Sequence, residues 1–201
     1  AAKQPWRNWL AHLHQFVPNW QEIAAQICAD YDWQLLSKAI DRNLNSPRIS
    51  SAGRLFDAVA FGLGITPPQL SWEGEAACQL EVLASQSALA SLPFDKRELA
   101  HFWQAWIALD SSNADKAFIF HYALAEGFAQ LARQQAQRHH CETLVLSGGV
   151  WHNQLLRRLI KEQLAEFKVL SAHQFPMGDG GLSLGQAIIA AQLSGFRPMG
   201  E

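Results

Sequence analysis

Across 201 residues, only two stretches have the branched, alternating character of β-strands, Thr143 to Ser147 and Lys168 to Ser171. Each runs into a glycine-bearing turn and then a helical pattern, over 154 to 166 and 182 to 194 respectively. Two strands do not form a stable sheet without partners. Either further strands are hidden in the sequence, or the sheet is completed by polypeptide outside these residues. The repeated β–loop–α order makes the class α/β, with few strands and many helices. Two parts are expected: a mostly helical 1–138, and 139–201 carrying the strand–loop–helix units.

The helical part is read from apolar spacing near three and four. Trp6, Trp9, Leu10, Leu13 and Phe16 form one stripe, and Trp33, Leu36, Ile40 and Leu44 predict a second helix over 33–44. The run 45–54 is a loop by composition, with Ser51 placed to cap a helix over 54–63. Pro67 and Pro68 interrupt helical pattern in a loop over 64–72. Helices follow over 73–86 and 98–109, with 87–97 as the connection between them, and the most regular helix covers 115–138 through Phe120, Leu124, Phe128 and Leu131.

Composition excludes several classes. Sixteen basic residues stand against eighteen acidic ones, without a Lys/Arg run long enough to grip a phosphate backbone, which argues against nucleic acid as the main partner. No uninterrupted apolar run reaches the roughly 18 residues of a membrane span. Cys28, Cys78 and Cys141 are odd in number and far apart, matching neither a disulfide framework nor paired metal knuckles, so a reducing cytoplasm is the expected home. The chain opens without Met or a signal-peptide layout, as expected of a processed chain or a piece of a longer one.

The junction "LVLSGGVWHN" (144–153) carries the first chemistry. Gly148 and Gly149 lack Cβ atoms, so an anion can approach their N–H groups while the following helix directs its partly positive end to the same place. A Gly–Gly turn serves equally as a tight connection, and Asn153 suits either a helix cap or a ligand contact. In "MGDGGLSLGQA" (177–187), Asp179 sits among Gly178, Gly180 and Gly181 at a helix entrance, open to a hard cation or a nucleotide hydroxyl, with capping as the alternative. Asp57 is a lone carboxylate on a helix whose Phe56, Val59, Ala60 and Leu63 point to the core; it is expected on another side, solvated or facing a cleft.

Other notable residues take structural readings. His12, His14, His139 and His140 are expected at the surface or at helix ends, and His121 in the core. His152 stands out by position alone, beside the first glycine loop. The eight tryptophans are mostly at helical core spacing, and the three cysteines are read as structural.

Together, "PWRNWL", "SSAGRLFDAVA", "SWEGEAACQLEVLA", "FHYALAEGFAQLA", "LVLSGGVWHNQLL" and "GDGGLSLGQAIIAA" resemble, in order and spacing, the C-terminal part of the HypF family, carbamoyltransferases of NiFe-hydrogenase maturation. The resemblance implies the C-terminal portion of a Kae1-like domain with the actin-like nucleotide-binding architecture. It implies use of carbamoyl phosphate and ATP, by way of carbamoyl-adenylate, to carbamoylate the C-terminal cysteine of HypE, which leads to the cyanide ligand of the hydrogenase. By this resemblance Ser147, Gly148, Gly149, Asn153 and Gly180 fall in nucleotide-binding loops, Asp57 takes the place of a ribose-bonding aspartate, and Asp179 that of a divalent-metal ligand. Ala58 stands where the tRNA-modifying relatives carry lysine, as it does in HypF proteins.

The HHxAH histidines that complete the family's metal site do not occur here; His139 and His140 precede a cysteine. The expectation is therefore a piece that folds, with a homodimer as one way to cover its strand edges, but does not catalyse carbamoyl transfer alone. The alternatives are a non-catalytic helical docking module for a maturation partner and another kinase of the actin-like class.

Overall fold

The computed structural model describes residues 3–93 and 99–195. Among them the order is α1 Pro5–Phe16, α2 Trp20–Ile27, α3 Trp33–Asp41, α4 Ala52–Gly62, α5 Glu75–Ala84, α6 Leu99–Ala108 and α7 Asn113–His139. Then come β1 Thr143–Leu146, α8 Gln154–Gln163, β2 Lys168–Ser171 and α9 Leu182–Leu193, with short 3₁₀ turns at Gly149–His152 and Asp179–Gly181. This is the helix-rich α/β class that the sequence implies. Of the expected connection 87–97 and the helix over 98–109, residues 94–98 lie outside the described residues. Two compact units, residues 1–126 and 127–201, divide the chain within α7.

In the first unit α1 begins with Pro5, whose missing N–H is harmless in a first turn. Its stripe buries Trp6, Trp9, Leu10 and Leu13 against α3, α4 and α6. Trp9, Trp103 and Trp106 meet edge to face, with centroids 5.6 to 6.1 Å apart, the arrangement that aromatic quadrupoles favour. α4 starts two residues before the expected 54 because Ser51 Oγ accepts the Arg54 N–H at 3.4 Å, and it is buried continuously from Phe56 to Phe61. α3 stops at Asp41, short of 44, because Asn43 turns left-handed (φ 53°) and Leu44 N–H closes onto the Ala39 carbonyl at 2.8 Å. α2 is an element beyond those expected from the sequence, although Trp20, Ile23, Ala24 and Ile27 carry helical spacing.

The second unit holds the sheet. β1 and β2 pair in parallel, Thr143 with Lys168 through Leu146 with Ser171. Parallel strands are ordinarily covered on both faces, yet Val145 is 68% exposed and Leu170 43%. α8 buries Leu155, Leu156, Leu159 and Ile160, and its last turn is closed by Arg133, which donates to the Gln163 carbonyl and pairs with Glu166 at 2.5 Å. α9 is apolar around its circumference but buries none of its residues.

Candidate functional site

The two glycine loops meet at the ends of the two strands. Gly148 N–H donates to the Met177 carbonyl at 2.6 Å, and the Ser147 hydroxyl reaches the same oxygen at 3.5 Å. A Cβ placed on Gly178 would lie 3.4 Å from Gly149 Cα and 3.9 Å from His152 Nε2, so the loops touch backbone to backbone with an imidazole at the seam. Gly148 is required by its own conformation: φ 106° and ψ 158° form a combination essentially confined to glycine. Gly149 is different. A Cβ there would meet nothing within 4 Å among the described residues and its φ is ordinary, so no steric demand among them explains the missing side chain. That open backbone leads into α8, whose N-terminal end carries partial positive charge.

Asn153 resolves toward the cap. It is buried, and its Oδ1 accepts the Leu156 N–H at 2.8 Å. Asp179 does not cap its helix. The entrance of α9 is made by Gly181 without a side-chain cap, and the Asp179 carboxylate is exposed, with no hydrogen bond or ion pair among the described residues. Its loop is held because Gly181 packs against Pro176, where a Cβ would come within 2.5 Å of the carbonyl oxygen. Gly180 is exposed on the same turn. Asp179 suits one position in the shell of a hard cation. Among the described residues no group of three His, Cys, Asp or Glu side chains is placed to hold a metal.

Asp57 corrects an expectation. It lies in the first unit and is 2% exposed, because α4 is buried on every side rather than along one stripe. Arg54 Nη1 stands 2.9 Å from its Oδ2, and the Asn8 amide donates to the same oxygen at 3.5 Å. Burial pushes the carboxyl up to about 6, the Arg54 guanidinium pulls it down, and Glu73 pushes it up again.

The histidines divide. His121 is in the core as expected, its Nδ1 2.8 Å from the Ala117 carbonyl, and burial lowers it to about 4. His12 is not a surface residue: it packs on Trp103 and Phe16, its Nδ1 is buried without a hydrogen bond, and burial lowers it to about 4. Local spacing carries no signal for this, because α6 supplies the covering tryptophan. His14 meets Asp41 at 2.9 Å across 27 residues, a pairing that local spacing does not reveal. Cys28 is buried and its thiol pushed up to about 11, whereas Cys78 and Cys141 are exposed and so are not core residues. Trp72 is likewise exposed.

A helix-rich α/β chain that ends in two linked strand–glycine–helix units matches, over residues 1–186, the family model described as the carbamoyltransferase Kae1-like domain, second subdomain, and the chain belongs to that family. Its relatives are HypF proteins. It is 36% identical over 194 residues to the carbamoyltransferase HypF of Rhodobacter capsulatus, covering 94% of this chain and 25% of that one. A HypF homolog of Cupriavidus necator is 34% identical, over 96% of this chain and 54% of its own length. Among solved structures, full-length HypF in its phosphate- and nucleotide-bound form superposes with a TM-score of 0.78 at 28% identity, over 96% of this chain and 27% of that one. The HypF of T. kodakarensis shares the fold at a TM-score of 0.80. The chain thus spans only a part of the proteins it resembles.

Proposed function

We propose that this chain is the nucleotide-holding part of a HypF-type carbamoyltransferase, which uses carbamoyl phosphate and ATP, through carbamoyl-adenylate, to carbamoylate the C-terminal cysteine of HypE for cyanide-ligand synthesis. The observation that carries the reading is Gly149, a glycine for which the described residues give no steric cause, open at the seam of two loops that a 2.6 Å bond from Gly148 to Met177 holds together. Backbone N–H groups so exposed beside a helix N-terminus suit phosphate oxygens. A relative's solved structure whose description names bound phosphate and nucleotide supports the same ligand class.

In this reading Ser147, Gly148, Gly149 and Gly180 form the phosphate cradle, and Asn153 holds α8 in place beneath it. Asp179 contributes one ligand to a divalent cation whose other ligands come from elsewhere in the intact protein. When bound, that ion supplies charge neutralisation at the phosphates. The described residues include no helix long and apolar enough to cross a membrane, and two exposed free thiols fit a reducing cytoplasm.

The test is ATP binding and hydrogenase maturation by the intact protein carrying Gly149→Val or Asp179→Ala. Gly149→Val is expected to weaken ATP binding at least about tenfold, by filling the space over the cradle, without lowering thermal stability. Asp179→Ala is expected to abolish maturation. Parent-like ATP binding by Gly149→Val together with normal maturation by Asp179→Ala would sink the reading in favour of a docking module without chemistry.

A further inference from the structure

The imidazole of His152 stands at the seam of the two loops, beside the Gly149–Gly178 contact. His152 closes the 3₁₀ turn Gly149–His152 and is exposed, while its two neighbours are not: Trp151 is 8% exposed and Asn153 7%. Trp151 packs against Phe128 with centroids 5.6 Å apart, and Asn153 caps α8. The backbone of His152 is therefore anchored on both sides, so its imidazole is carried from a fixed point beside the seam. Its Nε2 lies 3.9 Å from where a Gly178 Cβ would be, beside the Gly149–Gly178 contact. Among the described residues it makes no side-chain hydrogen bond or ion pair, and it does not belong to a three-residue metal cluster. An exposed imidazole on a fixed turn, with donor capacity unused, has no evident structural purpose there.

We propose that His152 is a ligand-contacting residue of the loop pair, donating an imidazole N–H to a phosphate oxygen of a nucleotide held over Gly149. This rests on the reading of the two loops as a phosphate cradle. Glutamine carries an amide donor of similar reach and is expected to substitute for histidine, whereas alanine leaves the oxygen to water.

The experiment is calorimetric titration of ATP into the intact protein, comparing parent, His152→Ala, His152→Gln and Gly149→Val, with the melting temperature of each. The expected result is binding about tenfold weaker for His152→Ala and within about threefold of the parent for His152→Gln, with both melting as the parent does. If His152→Ala binds ATP as tightly as the parent while Gly149→Val does not bind, the cradle stands and the role of His152 is overturned. If neither variant changes binding, the cradle itself fails and the inference with it. Equal weakening by Ala and Gln accompanied by lower melting temperatures would make His152 a structural residue and overturn the proposal.

Discussion

At the scale of single residues, three side chains of the first unit make its stability depend on pH. His12 and His121 are lowered by burial to about 4, so the unfolded chain takes up their protons first as pH falls, and the fold loses stability between about 6.5 and 4. Asp57, raised to about 6, works in the opposite direction: the folded form takes up its proton first, and the fold gains stability as pH falls toward the ordinary carboxylate range. Two imidazoles outweigh one carboxyl, so a net loss of about 3 kcal/mol is expected between pH 7 and pH 4.5. Urea unfolding across that range measures it. His12→Leu, which removes an unpartnered buried nitrogen, should flatten the profile; a slope identical to the parent's would refute the assignment to His12.

At the scale of elements, the second unit depends on how its helices begin. Asn153→Ala removes a buried cap and is expected to cost about 1–2 kcal/mol in denaturant unfolding, while Asn153→Asp, which retains the acceptor, stays close to the parent. A loss of ATP affinity by Asn153→Asp at unchanged stability would instead show that the amide group also serves the ligand. Gly181→Ala forces a Cβ to within 2.5 Å of the Pro176 carbonyl, so the loop bearing Asp179 must move. A destabilisation of about 1–3 kcal/mol is expected, and a parent-like unfolding midpoint would show that the loop adapts freely.

At the scale of the whole molecule, the dominant feature of the second unit is apolar surface without cover. Leu182, Ile188, Ile189 and Leu193 on α9 are 51–84% exposed, and both β1 and β2 are edge strands. Such surface is an association site in an isolated chain. The 201-residue chain is expected to self-associate at micromolar concentration in sedimentation experiments, a homodimer being the simplest form. Ile189→Asp with Leu193→Asp should reduce association without unfolding the chain. A parent chain that sediments as a monomer would contradict this expectation.

What the sequence determined by itself was the order and type of nearly every element. Those signals are local: tryptophans and leucines three and four apart, a serine before a helix, branched residues before a glycine pair. The resemblance to HypF was legible for the same reason, because its motifs are short and their order is linear. Only the tertiary structure decided which polar groups are buried and which remain open. Asp57 is enclosed because α4 is covered all round by other elements, His12 because Trp103 folds over it from 91 residues away, and Gly148 is tied to Met177 across 29 residues of chain. No period in the sequence encodes these meetings. Burial and charge environment are set by what packs against a residue, and that depends on contacts far apart in the chain.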